Sequence, residues 1–346
     1  MKPSTTPFSP QPPKIFSCTH QGARNYQEDR HGHWTGNPGP DSEHFIVVID
    51  GAGGHGGGAE AAEAAIKAAA QAWNRNEHPD PADFLKSWME TAHDAVNQAG
   101  KAIQRSARAV VVACLTDGKR AHWIHAGDSR LFHFRQGAVL SRTRDDSVVQ
   151  VLFEQGEIRE EEMGTHPDQG RLLQSLGGED PPNPRLGGGQ LEPGDALLLC
   201  TDGFWEHLSR GELEALVQTP PRRMQEALDA AVEAAVTRAG PKADNTTATL
   251  VIFGGHKPAS VVPSWILLAG AALLGIGVVL ALYFYQNRQG GGQETSGIEI
   301  PPSYPAEVLE PPEPPVSTPD TDPSPDKSSA ASSETENSEP TATPEP

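Results

Sequence analysis

Three aspartates in this 346-residue chain stand at the ends of apolar segments. Asp50 and Asp202 each follow such a segment and precede a glycine, and Asp244 lies just before the last one. One such acid is typical of an ordinary turn. If the segments are neighbouring strands, however, three carboxylates meet and raise one another's pKa unless divalent cations neutralise them. Carboxylates, backbone carbonyls and waters are the ligands that Mg²⁺ and Mn²⁺ prefer, so the pattern favours a cation site.

The glycine-rich segment after Asp50 does not fit the usual phosphate-binding loops. A nucleotide P-loop ends in Lys followed by Ser or Thr, whereas Ala59 and Glu60 follow the glycines here. Three of the glycines match the spacing of the dinucleotide fingerprint, but a carboxylate directly before that loop would repel a pyrophosphate. A cation therefore suits Asp50 better than a nucleotide phosphate.

A fourth polar segment, GARNYQEDR at 22–30, combines a base with an acid. Arg24 lies five residues before Asp29. A guanidinium fixed beside a two-metal site would form a fork for a phosphate group. The sequence thus adds a possible anion to the predicted cations.

Composition divides the chain into five parts. From Gln289 onward twelve acidic residues stand against one lysine, and they supply much of the net charge of −19. The rest is only mildly acidic, which argues against nucleic-acid binding and leaves carboxylates available for metal. The predicted parts are a disordered leader at 1–13, one large domain at 14–255, a short linker at 256–260, a transmembrane helix at 261–285 and a disordered acidic Pro/Ser/Thr-rich tail at 286–346.

The run Val261–Tyr285 is almost wholly apolar, and no charged residue lies between Lys257 and Arg288. A helix of this length can cross a hydrocarbon layer of ~30 Å. The leader has no apolar core of the secretory type. Three widely separated cysteines indicate a reducing compartment. We therefore expect a single-pass membrane protein with a cytoplasmic catalytic domain and the acidic tail on the far side.

Apolar periodicity predicts an α+β fold. Segments rich in branched and aromatic residues predict six strands, and apolar residues at three- and four-residue spacing predict four helices. The two kinds do not alternate regularly, so antiparallel sheets flanked by helices are expected. The predicted strands are 43–49, 107–115, 120–125, 131–134, 196–200 and 246–253; the predicted helices are 58–76, 81–103, 147–155 and 222–239.

Five motifs, taken in order and with their spacing, resemble the metal-dependent serine/threonine protein phosphatases, the PPM or protein phosphatase 2C family. The resemblance covers about residues 14–255 and implies a four-layer α-β-β-α sandwich with a two-metal centre at one edge. The motifs are Gly22-Ala23-Arg24 with Glu28-Asp29, Asp50-Gly51-Ala52-Gly53-Gly54-His55, Gly127-Asp128-Ser129-Arg130, Thr201-Asp202-Gly203 and Asp244-Asn245.

The resemblance also implies roles for individual residues. Asp50 would bridge two Mn²⁺ or Mg²⁺ ions, with the carbonyl of Gly51 on one of them. Asp202 and Asp244 would bind the other. The remaining implied residues are Glu28 and Asp29 on metal-bound waters, Asp128 on a third and weaker metal, and Arg24 on the substrate phosphate. In this family an activated water attacks phosphorus without a phosphoenzyme.

The chain departs from the family pattern at several positions. Ala52 stands where eukaryotic members often have a histidine proposed as general acid, so the general acid is unassigned. Asp146 replaces the histidine of the usual Asp-His-Ser triplet, which weakens the case for Asp145 as a third-metal ligand. Glu206 stands where many relatives have Asp. None of these changes touches the bridging site, so an active enzyme is expected.

Three functions remain open from sequence. The first is a membrane-tethered phosphatase for phosphoserine and phosphothreonine in proteins, opposing a cognate serine/threonine kinase. The others are a non-catalytic phosphoprotein-binding module and a phosphatase for a small phosphoester. Retention of mutually repelling acids favours catalysis over binding alone.

Overall fold

The computed structural model describes residues 12–37, 42–52, 56–75 and 80–254, within which ten strands form two five-stranded antiparallel sheets. The first sheet has the order β1-β10-β9-β6-β7 and the second has the order β2-β3-β4-β5-β8. The strands are β1 Lys14–His20, β2 Asp29–Thr35, β3 His44–Gly51, β4 Ala109–Thr116, β5 Arg120–Ala126, β6 Arg130–Arg135, β7 Ala138–Arg142, β8 Arg185–Gln190, β9 Ala196–Cys200 and β10 Thr246–Ile252.

Helices cover the outer faces of both sheets. The described α-helices are α1 Gly58–Asn74, α2 Pro81–Ile103, α3 Val148–Glu154, α4 Asp202–Trp205, α5 Arg210–Val217 and α6 Met224–Ala239. In α1 the buried positions are mostly alanines, which let this helix lie close to the second sheet. Asp80 caps α2 by accepting hydrogen bonds from the amides of Ala82 and Asp83.

Three apolar clusters hold these layers together. Side chains from both sheets, including Ile46, Val112 and Leu199, form the cluster between the sheets. A second cluster packs α1 and α2 on the second sheet, and a third packs α4, α5 and α6 on the first sheet. The strands β3, β4 and β10 are buried on both faces and carry long apolar runs, although β10 also buries three threonines. The expected architecture of two antiparallel sheets flanked by helices is confirmed.

The strand register brings several chain segments to one edge of the sandwich. Asp29 at the start of β2 lies opposite Asp50 near the end of β3. In the first sheet Cys200 at the end of β9 pairs with both Arg130 of β6 and Ala248 of β10. Each predicted acid follows or precedes one of these strand ends, so the pairing itself determines that they share an edge.

Several elements differ from the sequence prediction. The run Gly187–Gly189 lies outside the six predicted strands, but it belongs to β8 and pairs with β5. A Cβ at Gly187 would lie 2.2 Å from the indole Nε1 of Trp123, so a glycine is required for the indole to pack on this strand. The strands β1, β2 and β7 and the helices α4 and α5 were not predicted.

The predicted transmembrane helix at 261–285, the linker at 256–260, the tail at 286–346 and most of the leader lie outside the described residues. In the part of the chain that the structure describes, no helix combines the length and apolarity needed to cross a bilayer.

Candidate metal centre

Two carboxylates face each other across the β2–β3 pair. Asp29 is 2% exposed and lies directly opposite Asp50. Like charges at such a position destabilise a sheet unless something compensates them. One oxygen of Asp29, Oδ2, accepts a hydrogen bond of 3.0 Å from the hydroxyl of Thr201, which also ties the two sheets together. The other oxygen, Oδ1, is buried and has no hydrogen-bond partner.

Two further carboxylates approach this pair, one directly after β9 of the first sheet and one in the turn that links the two sheets. Asp202 begins α4 directly after β9, and its Oδ1 accepts a 2.7 Å hydrogen bond from the amide of Gly203. Asp128 lies in the turn between β5 and β6 and is 6% exposed. The indole of Trp205 donates to the carbonyl oxygen of Asp128 at 3.0 Å and so fixes this turn.

Burial and mutual repulsion raise the pKa values of these carboxyls. For Asp50 and Asp128 burial raises the pKa well above its ordinary value, and the charge of Asp202 adds to the effect. Burial raises the pKa of Asp29 to about 8, against the hydrogen bonds that lower it. Burial and the Asp244 carboxylate raise the pKa of Asp202 to about 6. The fold therefore holds negative charges together at a cost that bound cations would remove.

The donor set fits hard divalent cations. The charges of Asp29, Asp128 and Asp202 all raise the pKa of Asp50, so the four carboxyls lie close together. The Oδ1 atom of Asp29 has no hydrogen-bond partner and can serve as an oxygen ligand. Gly51 admits no side chain, because a Cβ there would lie 2.1 Å from the carbonyl oxygen of Gly58. Among the described residues, no three acidic, histidine or cysteine side chains form a group already arranged to hold a metal ion. The fit therefore rests on the chemistry of the donors.

Arg24 lies at this site but is already paired. Its Nη2 donates to Oδ2 of Asp244. Burial would lower the pKa of Arg24, but the charge and hydrogen bond of Asp244 outweigh it and raise the pKa. Arg24, which is predicted to bind the substrate phosphate, thus contacts Asp244, which is predicted to bind a metal ion. About half of the Arg24 side chain stays exposed.

Asn245 fixes the loop that carries Arg24. Its Oδ1 accepts from the amide of Glu28 at 2.7 Å, and its Nδ2 donates to the carbonyls of Gln21 and Tyr26 at 2.8 and 3.0 Å. All of these groups come from one loop, so a single buried amide sets its shape. The Asp-Asn motif was noted in the sequence, but nothing there indicated this long-range role for the asparagine.

The side chain of Glu28 lies against the beginning of α1, within the field of Arg24 and Asp244. A Cβ at Gly58 would be 2.8 Å from its Oε1. Burial raises the pKa of Glu28, and a hydrogen bond from the backbone of Ala59 partly opposes the rise. A carboxylate is stabilised at a helix N-terminus because the amides there are unpaired and carry partial positive charge.

Asp145 is committed to an internal ion pair. The Arg130 guanidinium holds both of its oxygens, at 2.6 Å from Nη2 to Oδ2 and 2.9 Å from Nε to Oδ1. The same guanidinium lies 3.3 Å from the ring centroid of Trp205. Asp145 was already a weak candidate for a third metal, and this pairing occupies the oxygens that such a role would need. Sequence reasoning assigned no role to Arg130, Thr201 or Trp205.

Glu206 is a further carboxyl within the field of the site. Burial raises its pKa to about 10, and the charges of Asp202 and Asp128 contribute. Gly164 packs against it, since a Cβ at Gly164 would lie 3.0 Å from the Cβ of Glu206. Glu206 also lines a cavity of about 880 Å³ that lies between β7, α3 and α5. Its longer side chain therefore adds to the buried acid cluster.

We expect Asp50→Asn to stabilise the metal-free protein, because it removes one of the repelling charges. When the pKa of a carboxyl is higher in the folded chain than in the unfolded chain, the carboxyl contributes most to stability at low pH, where it is protonated. This contribution is lost as the pH rises towards the pKa in the folded chain, which is about 8 for Asp29. The gain should therefore be about 1–2 kcal/mol at pH 8 and much smaller at pH 5. Urea unfolding in excess chelator at both pH values measures it.

Asp94→Asn is the matched control, since Asp94 is exposed on α2 far along the chain from the cluster. It should change the free energy of unfolding little at either pH. An Asp50→Asn protein that is less stable than wild type at pH 8 would contradict the repulsion.

Comparison with known proteins agrees with this geometry. The model of the family "Protein phosphatase 2C" matches residues 17–254. The serine/threonine phosphatase stp of Listeria innocua is 27% identical over 234 residues, covering 66% of this chain and 90% of the relative. The serine/threonine protein phosphatase PstP of Mycobacterium tuberculosis is 30% identical over 209 residues, covering 59% of this chain and 39% of the relative.

Solved structures show the same fold. A serine/threonine phosphatase of S. agalactiae superposes with a TM-score of 0.61 at 27% identity and covers 69% of this chain and 98% of its own. The catalytic domain of PstP, solved in complex with two manganese ions, gives a TM-score of 0.59 at 26% identity, covering 70% of this chain and 99% of its own. PP2C-type phosphatases are metal-dependent protein phosphatases, and this chain belongs to the protein phosphatase 2C family.

Proposed function

We propose that this protein hydrolyses phosphoserine and phosphothreonine in proteins with the help of two divalent cations, Mn²⁺ or Mg²⁺. The observation that carries the proposal is the convergence of Asp29, Asp50 and Asp202 at one edge of the sandwich, where burial and repulsion raise their pKa values. A module that only binds would gain nothing from this costly arrangement. The small-phosphoester alternative rests on no feature of the structure.

The chain's own residues have distinct tasks in this proposal. Asp50, Asp202, Asp244 and the carbonyl of Gly51 would hold the cations, and Asp29 would orient water through its unpartnered Oδ1. The bound cations would supply an activated water and neutralise charge on the phosphoryl oxygens.

The remaining tasks concern positioning. Thr201 holds one oxygen of Asp29, so the other oxygen faces the site in a fixed orientation. Arg24 would exchange its pairing with Asp244 for the phosphate, because a guanidinium suits either oxyanion. Asn245 keeps the Arg24 loop in place during that exchange. Asp128 is proposed to help bind a third, weaker ion.

We expect the full chain to release phosphate from a phosphothreonine peptide only when Mn²⁺ or Mg²⁺ is present, and much faster than from a matched phosphotyrosine peptide. Asp202→Asn should lower kcat by more than tenfold, about 1.4 kcal/mol of barrier, because a cation ligand is lost. Phosphate release measured with and without chelator tests both statements. Full turnover in excess chelator would contradict the proposal.

Two further variants act as controls in the same assay. Arg24→Ala should raise KM more than it lowers kcat, because it removes a contact to the substrate phosphate. Arg171→Gln changes a surface arginine that pairs with Asp168, and it should leave both constants unchanged. Equal loss in both arginine variants would point to a general charge effect.

We also propose that the enzyme works at a membrane, with the catalytic domain in the cytoplasm and the acidic tail across the bilayer. The apolar run 261–285 is long enough to span, and phosphoproteins made with ATP are the expected substrates, together with a cognate serine/threonine kinase. All three cysteines, Cys18, Cys114 and Cys200, are free thiols, which suits a reducing compartment. The flanking basic residues give only a slight orientation preference.

The topology can be tested by proteolysis of intact cells or spheroplasts. Protease added outside should remove a tag placed after Pro346 and should spare the catalytic domain. Protection of the tag would contradict the proposed orientation. Cleavage of the catalytic domain would do the same.

A further inference from the structure

A polar pocket lies at the end of β5. It has a volume of about 490 Å³ and is lined by the segment Arg142–Arg144, which begins at the last residue of β7, and by Asn183–Leu186 at the start of β8. His125 of β5 also lines it. We call this cavity the His125 pocket.

The lining of the His125 pocket is basic. Arg142, Arg144 and Arg185 line it, and no described aspartate or glutamate does. The carboxylates that pair with two of these arginines, Glu154 and Glu160, line the larger neighbouring cavity instead. The cavity therefore presents guanidinium groups, each of which pairs with a carboxylate outside the lining.

Two of the arginines keep N–H groups for a ligand. Arg185 uses only its Nε, which donates to Oδ1 of Asp146 at 2.7 Å. Arg144 uses its Nε and Nη2 on Glu154. Among the described residues, no acceptor binds either Nη group of Arg185, and none binds Nη1 of Arg144. These side chains are 44% and 40% exposed, so a solute can reach them.

His125 adds an acceptor to these donors. It is 3% exposed, and its Nε2 lies 2.8 Å from the carbonyl oxygen of Arg144. A carbonyl only accepts, so Nε2 carries the proton and Nδ1 holds a lone pair. Nδ1 has no hydrogen-bond partner in the described chain and no surface open to solvent, so a ligand reaches it only if the pocket lining shifts. Burial lowers the pKa of His125, which keeps this neutral form.

The combination of groups matches a protonated phosphoryl group. Guanidinium groups donate to phosphoryl oxygens, and a lone pair on a neutral imidazole can accept a P–OH. Hydrogenphosphate carries such a hydroxyl at neutral pH. A phosphate ester carries one only in its monoanion, which is the minor form above its second pKa of about 6. Sulfate at neutral pH carries none and would leave Nδ1 unpaired.

The pocket is close to the proposed catalytic site along the chain and through the backbone. His125 precedes Asp128 by three residues, a spacing of roughly 10 Å in extended chain. The amide of Asp146, whose side chain holds Arg185, donates to the carbonyl of Gly127 at 2.8 Å. Two phosphoryl groups about three residues apart on a substrate could thus reach both sites.

We propose that the His125 pocket binds a second phosphoryl group through Arg144, Arg185 and His125 while the metal centre acts on the first. Where this second group belongs to a substrate, the proposal rests on the proposed phosphatase function. The group is carried by a multiply phosphorylated protein segment or is free hydrogenphosphate. The competing explanation is that the arginines only hold β7 and β8 to the rest of the fold.

The first test compares three peptides with the full chain in saturating Mn²⁺. One peptide carries a single phosphothreonine, one carries a second phosphate three residues away, and one carries it ten residues away. For wild type we expect kcat/KM on the closely spaced peptide to exceed the other two by about tenfold. Arg185→Gln should abolish this preference while leaving the single-phosphate peptide unchanged, and the surface variant Arg171→Gln should retain it.

The second test concerns free phosphate and does not depend on catalysis. In excess chelator, hydrogenphosphate should raise the melting temperature of wild type and Arg24→Ala, and sulfate should raise it less. Arg185→Gln should lose the phosphate effect. A peptide preference shows a substrate subsite, and phosphate stabilisation alone shows a site for the free anion. If Arg185→Gln alters neither readout, the proposal is wrong, even when wild type hydrolyses the single-phosphate peptide normally.

Discussion

Repulsion among carboxylates is the interaction on which this structure depends. Asp29 and Asp50 lie opposite each other in the β2–β3 pair. Asp202 approaches from the other sheet, and Asp128 lies in the turn that joins the two sheets. Burial raises the cost of keeping them charged, so the fold must be held by other contacts. The apolar cluster between the sheets, which includes Ile46, supplies that stability. The acid cluster then becomes a place where cations bind because they relieve the repulsion.

Precise placement of the acids requires links between distant segments. Thr201 joins the two sheets through one oxygen of Asp29, and Asn245 holds the Arg24 loop with three hydrogen bonds. Arg130 anchors the segment after β7 by binding Asp145 in the interior. Each link uses a buried polar group. An unsatisfied buried donor or acceptor costs about 1–3 kcal/mol of folding free energy, so removing either partner of a link destabilises the fold.

The sequence predicted the parts of the site that depend on local pattern. Asp50 and Asp202 follow continuous apolar strands, and such runs identify strand ends well. The ordered motifs then identified the family. The partners of Asp145 and Glu28 could not be predicted, because they come from segments brought close only by tertiary packing. Strand β8 was missed because glycines are poor strand formers, and here Gly187 is required by the indole of Trp123.

If the converging carboxylates bind the cations, isothermal titration of the full protein at pH 7 should count two Mn²⁺ ions per wild-type chain. In Asp202→Asn we expect a fall in stoichiometry or a large loss of Mn²⁺ affinity. The exposed control Asp94→Asn should bind like wild type. Unchanged Mn²⁺ binding in Asp202→Asn would show that the converging carboxylates are not the cation ligands.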